Sequence, residues 1–246
     1  MPTAFPEIQE RLDHICERLV TAFDPKSIFL YGSRARGDHL ETSDYEIGVV
    51  CTQENHINIT AIKEAIRAKN VNIYPFVYEK MMTGTCDIPF VKPLFLRELK
   101  LTARTLYGDP VIDELVPPPI MLLDAIKSLR FNLGYALSAL LAERAGAHRL
   151  GMNQFSKSNL FATRDCLLAQ HGVFYTTYEE ILNRALECLP PDAPWHELIK
   201  TAYNTRLNPG MVYSKLIYDN ISFLNQYIEP KLNRLFQEKG NVTLLA

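Results

Sequence analysis

The chain has 246 residues, of which 47% are hydrophobic and 22% charged, and its formal net charge is −2 at pH 7. These values are typical of a globular protein and allow two ordinary domains, each with its own core. A protein that binds long nucleic acid usually carries a strongly basic surface, so nucleic acid is not an expected partner.

Cysteine usage and the N-terminal sequence indicate a cytoplasmic protein. The five cysteines are scattered and form no C-x-x-C pair, which is typical of free thiols in a reducing compartment. The first fifteen residues lack the basic and then apolar pattern of a signal peptide. The longest apolar stretch, 133–142, is too short to span a membrane, so no membrane association is expected.

The first part of the chain alternates between helical and strand periodicity. Three consecutive prolines at 117–119 predict a stiff linker, with one domain over 1–115 and a second over 120–246. In the first domain we predict helices over 7–22, 60–69 and 93–106, and strands over 27–31, 44–51 and 71–77.

After the linker the periodicity is helical throughout. We predict helices over 120–145, 156–171, 177–188, 195–203 and 211–236, with an N-cap at Thr176 or Thr177 and a C-cap at Gly172. The predicted fold is therefore an α/β (α+β) domain with a mixed sheet, followed by an all-α helical bundle.

The most informative segment is YGSRARGDHLETSDYEIGVV, residues 31–50. A Gly32–Ser33 turn directly after a buried strand lets the backbone approach a phosphate closely, because glycine has no Cβ. A helix starting near Arg34 would turn its N–H groups toward that phosphate, and Arg34 and Arg36 add positive charge. The turn is therefore a candidate site for a nucleoside triphosphate.

Two acidic residues follow this turn at a fixed interval. Ten residues separate Ser33 from Asp44, and one residue separates Asp44 from Glu46. Residues two apart on a strand point to the same face, so both carboxylates project together. Carboxylate and phosphate oxygens are the hard ligands that Mg²⁺ prefers. Asp44 and Glu46 are therefore the candidate catalytic and metal-binding residues.

GSRARG followed by SDYE resembles the nucleotidyltransferase superfamily that shares the DNA polymerase beta fold. The Asp-x-Glu variant, and the stretch CLLAQHGVFYTTYEEILNRAL at 166–186, are similar to the kanamycin nucleotidyltransferase-like two-domain enzymes. The resemblance implies that Gly32, Ser33 and Arg36 contact the triphosphate, with ATP as the expected substrate, and that Asp44 and Glu46 hold Mg²⁺. It also implies a small hydroxylated acceptor, such as an aminoglycoside, and a homodimer.

Two departures from the family pattern bear on activity. The third carboxylate of the superfamily falls on the predicted strand 71–77, where this chain has Asn72. The glutamate base and lysine of the second domain align with Gly134 and Ser138, neither of which can take those roles. Glu143, on the same predicted helix, is a candidate substitute base; a surface glutamate beside Arg144 is the simpler interpretation.

Three alternative functions are also compatible with the sequence. Minimal nucleotidyltransferases of toxin–antitoxin systems share the glycine-serine and acidic layout and AMPylate a protein. The missing third carboxylate also allows a catalytically degenerate nucleotide binder. Finally, Arg164 and His171 lie seven residues apart on one predicted helix, a spacing similar to the Arg-x(4–6)-His signature of HEPN ribonucleases.

Overall fold

The computed structural model describes residues 6–41, 43–52, 59–66, 68–189, 193–208 and 214–246. The chain divides into two compact units, Met1–Pro118 and Pro119–Ala246. The elements of the first unit are, in chain order, α1 (Pro6–Phe23), β1 (Ser27–Tyr31), α2 (Ser33–Arg36), β2 (Tyr45–Cys51), α3 (Ile59–Ala65), β3 (Val71–Val77), α4 (Tyr78–Met82), α5 (Lys92–Thr102), β4 (Arg104–Gly108) and α6 (Val111–Glu114).

The first unit is built on a four-stranded mixed sheet in the order β3-β2-β1-β4. β1 runs antiparallel to both β2 and β4, whereas β2 and β3 are parallel. The register places Glu46 of β2 between Tyr31 of β1 and Asn72 of β3. The sheet therefore brings the glycine-serine turn, the acidic residues and the position of the expected third carboxylate to the same edge of the fold.

Each face of this sheet carries its own hydrophobic core. Ile47 of β2 and Ile62 of α3 are fully buried on the face that packs against α1 and α3. Phe29 of β1 and Phe76 of β3 are buried on the opposite face, with the helices α4, α5 and α6. Because strand side chains alternate between faces, Tyr45 belongs to the first core, and Glu46 projects to the second face.

The predicted helix over 93–106 is too long at its C-terminal end. α5 ends at Thr102, and Arg104–Gly108 forms the edge strand β4 instead. Ala103 has extended backbone angles, and Ser27 of β1 pairs with Gly108. The apolar residues of this segment fit helical periodicity locally, but the exposed edge of β1 offers strand hydrogen bonds that local periodicity cannot reveal.

The second unit is mostly helical, as predicted. Its elements are β5 (Ile120–Met121), α7 (Leu122–Arg144), α8 (His148–His171), α9 (Tyr178–Cys188), α10 (Pro194–Leu207), α11 (Ser214–Phe223), a π-helical turn (Leu224–Ile228), α12 (Glu229–Lys239) and β6 (Thr243–Leu245). The fold class is confirmed, with one correction: the two-residue β5 pairs with β6, so the unit is not wholly helical. Of the helices in the described ranges, none is both long and apolar enough to cross a membrane.

Other helix boundaries also differ from the sequence predictions, two of them in ways that bear on packing. α8 starts at His148 rather than at 156, and the added part of the helix packs into the core through Met152 and Phe155, which are both buried. The predicted helix over 211–236, of which 211–213 lie outside the described residues, is divided by the π-helical turn that ends two residues before Pro230. Proline lacks an N–H group and its ring clashes with the carbonyl four residues earlier, so a widened turn accommodates it.

Candidate nucleotide and metal site

The turn between β1 and α2, which the sequence predicts to bind phosphate, has a backbone conformation that requires glycine. Gly32 adopts φ 73° and ψ −157°, a region that is essentially restricted to glycine. Its carbonyl oxygen accepts hydrogen bonds from the N–H groups of Ala35 and Arg36, both at 3.1 Å. Ser33 is buried at the first position of α2. The turn is therefore tight, and its conformation depends on glycine.

The carboxylate of Glu46 lies directly against Gly32. A Cβ atom built on Gly32 would come within 1.6 Å of Glu46 Oε2 and 2.6 Å of its Cδ. The space that any side chain at position 32 would need is thus filled by the longer acid of the Asp-x-Glu pair. The nucleotide turn and the second acidic residue consequently form one structural unit.

Asp44 and Asn72 are brought together, as the alignment of position 72 with the third acid implies. Asn72 Nδ2 donates a hydrogen bond of 3.0 Å to Asp44 Oδ2. Both residues are exposed, and Asn72 is the register partner of Glu46. The structure therefore places Asp44, Glu46 and Asn72 at one end of β2 and β3.

The other neighbour of Glu46 is Tyr31, on β1. Its ring lies 6.1 Å from that of Phe95 and 6.5 Å from that of Phe76, measured between centroids. Burial raises the pKa of the Tyr31 hydroxyl, and the negative charge of Glu46 raises it further. Tyr31 therefore lines the site as a neutral aromatic side chain at physiological pH.

Arg36, the predicted cationic contact of the triphosphate, is held by two carboxylates. Its side chain is 4% exposed; Nε lies 3.2 Å from both oxygens of Asp38, and Nη1 lies 2.5 Å from Glu98 Oε1. Sequence reasoning did not find Asp38 or Glu98 as partners, and Glu98 is 62 residues away on α5. This ion-pair network fixes the guanidinium of Arg36, whose contact with phosphate stays a prediction.

The second-domain positions contain no standard base. Gly134 and Ser138 lie on α7, and a Cβ built on Gly134 meets no atom within 4 Å. Glu143, the candidate substitute base, has its Oε2 within 2.8 Å of His148 Nδ1, at hydrogen-bonding distance. Arg144 bonds to the Tyr218 hydroxyl instead of to Glu143.

The ribonuclease alternative depends on Arg164 and His171 facing one site. Arg164 is buried, and its guanidinium carbon lies 4.8 Å from the ring centroids of both Phe161 and Phe174. His171 Nε2 is 3.3 Å from the Sγ of Cys188. An arginine enclosed by aromatic rings is poorly placed to stabilise a phosphate, so this geometry does not favour RNA cleavage.

The oxygen donors at the N-terminal ends of β2 and β3 suit one divalent cation. Asp44 and Glu46 supply carboxylate oxygens from positions on the same face, and Asn72 can supply an amide oxygen if its side chain rotates away from Asp44. Among the residues that the structure describes, no group of three or more His, Cys, Asp or Glu side chains converges as a metal site.

These features coincide with a recognised domain. Residues 11–88 match the family model described as the nucleotidyltransferase domain, and this range contains Gly32, Ser33, Asp44, Glu46 and Asn72. The first unit therefore contains a nucleotidyltransferase domain, which confirms the resemblance to that superfamily seen in the sequence.

The whole chain also resembles a solved two-domain enzyme. It matches the crystal structure of spectinomycin adenyltransferase AAD(9) from Enterococcus faecialis, determined with ATP and spectinomycin. The TM-score is 0.55 at 14% sequence identity, and the match covers 93% of this chain and 97% of that chain. A search of the curated proteins finds no match. The structural likeness establishes a shared fold across both units.

Proposed function

We propose that this chain is a Mg²⁺-dependent nucleotidyltransferase that moves a nucleoside monophosphate from a nucleoside triphosphate to a hydroxyl of a small molecule. The observation that carries the proposal is the proximity of Glu46 to the Gly32 turn, with Asp44 and Asn72 beside them. A phosphate-binding turn and a pair of carboxylates at one sheet edge are what transfer of a nucleotidyl group needs.

Each residue has a distinct proposed role. The tight turn at Gly32 and Ser33 receives the triphosphate, and Arg36, oriented by Asp38 and Glu98, adds positive charge. Asp44 and Glu46 would hold Mg²⁺, which neutralises charge on the phosphates and lowers the barrier to bond cleavage. Positioning and charge stabilisation supply most of the rate acceleration.

The proposed transfer forms one bond to phosphorus and breaks one. The acceptor hydroxyl oxygen forms a bond to the α-phosphorus, the bond from that phosphorus to the bridging oxygen of the β-phosphate breaks, and pyrophosphate leaves while the hydroxyl proton is released. The named relative was solved with ATP and spectinomycin, so ATP and aminoglycoside-like polyols are the first substrates to test. A homodimer, implied by the sequence resemblance, is part of the same proposal.

The decisive experiment measures pyrophosphate release with ATP and Mg²⁺ against a panel of aminoglycosides and other polyols. We expect release that requires an acceptor and falls by at least about 100-fold in Asp44→Asn and Glu46→Gln, since each change removes a charged metal ligand. Asp113→Asn is the matched control, because Asp113 is an exposed carboxylate on α6 of the same unit. Equal losses in all three variants would contradict the assigned roles.

A degenerate nucleotide binder is the second candidate, favoured by Asn72 at the position of the third acid and by Gly134 and Ser138 at the positions of the base and lysine. It predicts calorimetric binding of ATP without pyrophosphate release under any condition. Transfer to a protein is the third outcome: a mass increase of a partner protein incubated with ATP and this chain would identify it.

A further inference from the structure

We propose that Arg34 is a positioning residue that holds the strand with both carboxylates against the nucleotide turn. This inference rests on the proposed function. Arg34 follows Ser33 in α2, and sequence reasoning assigned its charge to the phosphate. The contacts of its guanidinium group indicate a different role.

The guanidinium of Arg34 binds the backbone immediately before the acidic residues. Nε and Nη2 donate hydrogen bonds of 2.9 and 2.8 Å to the carbonyl oxygen of Ser43, and Nη2 donates another of 3.0 Å to the carbonyl of Glu41. A planar guanidinium makes such forked contacts with a fixed direction, which an ammonium group cannot reproduce. Because Ser43 directly precedes Asp44, these bonds fix the backbone that carries the first carboxylate.

The same group also holds the residue between the two acids. The guanidinium carbon of Arg34 lies 4.0 Å from the ring centroid of Tyr45, and that of Arg11 lies 5.1 Å from it. Tyr45 is only 4% exposed. Since Tyr45 projects to the face opposite Asp44 and Glu46, fixing its ring fixes the direction in which both carboxylates point.

The contacts of Arg34 extend, through Tyr45, to the neighbouring strand. The Tyr45 N–H donates a 2.8 Å hydrogen bond to the carbonyl of Asn70, two residues before Asn72. Arg11 donates to the carbonyl of Lys69 in the same turn. Arg34 therefore connects α2 to the segment that carries Asp44 and Glu46 and, through Tyr45, to the start of β3. Its role is to keep the metal ligands in register with the turn that receives the triphosphate.

The test compares Arg34→Lys and Arg34→Ala with Arg149→Ala, which removes an exposed arginine of α8 in the other unit. In a coupled assay at saturating ATP and acceptor, we expect both Arg34 variants to need about 10- to 100-fold more Mg²⁺ for half-maximal rate, as for residues that orient metal ligands. Arg34→Lys keeps the charge and the aliphatic stem, so it is the variant expected to fold. The control keeps the wild-type Mg²⁺ requirement.

A merely structural role for Arg34 would lower the fraction of active protein without changing the Mg²⁺ concentration at half-maximal rate, and that result would overturn the inference. So would a simple rise in the KM for ATP at unchanged Mg²⁺ requirement, because it would place Arg34 on the phosphate. Tyr45→Leu is the second variant, and the inference predicts a rise in its Mg²⁺ requirement as well.

Hydrogen exchange separates the failure of this inference from the failure of the proposed function. In the absence of nucleotide, Arg34→Lys should speed exchange of the Tyr45 amide, whereas Arg149→Ala should not. Unchanged exchange of the Tyr45 amide in Arg34→Lys would overturn the positioning role of Arg34, whatever the activity of the variant. Binding of Mn²⁺–ATP to the wild-type protein can be measured by paramagnetic resonance of Mn²⁺. Absence of this binding would overturn the proposed function, and the exchange result would still test the positioning role of Arg34.

Discussion

Glu46 Oε2 occupies the position that a side chain on Gly32 would take, 1.6 Å from an ideal Cβ. The two residues are fourteen apart in sequence, Gly32 directly after β1 and Glu46 in β2. A turn that any residue other than glycine would obstruct is thus paired with the longer of the two acids. The stability of the turn and the identity of residue 46 are therefore coupled.

This coupling can be measured as an interaction free energy. Gly32→Ala incurs backbone strain of about 1–3 kcal/mol and overpacking of about 1–3 kcal/mol. Glu46→Ala removes the second term, so the double variant should be less destabilised than the sum of the single variants by about 1–3 kcal/mol. Maleimide labelling of Cys51, which is buried in β2, as urea rises would report unfolding of this unit.

Gly37→Ala is the control for that cycle. Gly37 also has a positive φ, 87°, but a Cβ built on it meets no atom within 4 Å. Its replacement should therefore cost only backbone strain, and the cost should be equal with Glu46 or Ala at position 46. Strict additivity of Gly32→Ala and Glu46→Ala would show that the side chain of Glu46 does not fill the space over the turn.

Asn72→Asp should strengthen the response to Mg²⁺. The variant places a carboxylate where the amide nitrogen now donates to Asp44, so two like charges face each other in the absence of metal. We expect lower stability of the first unit without Mg²⁺ and a several-fold lower Mg²⁺ concentration for half-maximal stabilisation. Urea unfolding at a series of Mg²⁺ concentrations would measure both.

Asn72→Ala separates charge from hydrogen bonding in this comparison. It removes the bond to Asp44 without adding a charge, so we expect a loss of about 0.5–1.5 kcal/mol and no increase in Mg²⁺ affinity. If Asn72→Asp responds to Mg²⁺ as the wild-type protein does, position 72 does not take part in the metal site.

The N-terminus of α9 should make the stability of the second unit dependent on pH. Hydrogen bonds from the backbone N–H groups of Thr177 and Thr176 hold the pKa of Glu180 below its usual value of 4.5, although partial burial opposes the shift. A carboxyl with a lowered pKa stabilises the fold above about pH 4.5, and the contribution is lost as the pH falls through the folded-state pKa.

We therefore expect Glu180→Ala to be less stable than the wild-type protein at pH 7 and nearly equal to it at the acid end of the range. Thr177→Ala, which removes the N-cap oxygen that accepts from the Glu180 N–H, should cost about 1 kcal/mol at pH 7. Trp195, the single tryptophan of the chain, lies in α10 of the same unit and reports its unfolding by fluorescence. A pH-independent difference for Glu180→Ala would contradict the assigned pKa.

Gly134→Ala should stabilise the second unit. Gly134 is an exposed residue in the interior of α7 with open space around a built Cβ. Alanine in place of glycine within a helix contributes about 0.5–1 kcal/mol. The urea midpoint of Trp195 fluorescence should rise accordingly, while Gly172→Ala, at the left-handed C-cap of α8, should lower it. A decrease for Gly134→Ala would show that this position meets a neighbour when the chain is in solution.

The sequence predicted those parts of the site that depend on short-range pattern. The Gly32–Ser33 turn follows from one glycine after an apolar run, and Asp44 and Glu46 follow from period-two alternation in a strand. The N-cap at Thr177 is confirmed because its partner Glu180 is only three residues away. Local spacing was sufficient in each of these cases.

Contacts between distant segments were not predictable in the same way. β4 forms because β1 offers an unpaired edge, and Glu98 reaches Arg36 from a helix 62 residues away. Arg34 has the same charge as Arg36 but binds backbone carbonyls and an aromatic ring. Residue type alone does not distinguish an arginine that binds phosphate from one that holds a strand in place, because both need the same donors.

The pairing of β5 with β6 closes the second unit at one point. Leu122 N–H donates to the carbonyl of Val242 at 2.9 Å, and Leu123 N–H donates to the side chain of Asn241 at the same distance. Ile120 and Leu245 are therefore neighbours across a short antiparallel ladder, although a whole helical bundle separates them in sequence. A domain whose first and last strands are paired tolerates insertion into a loop of another protein, and also circular permutation, because neither change separates the two strands.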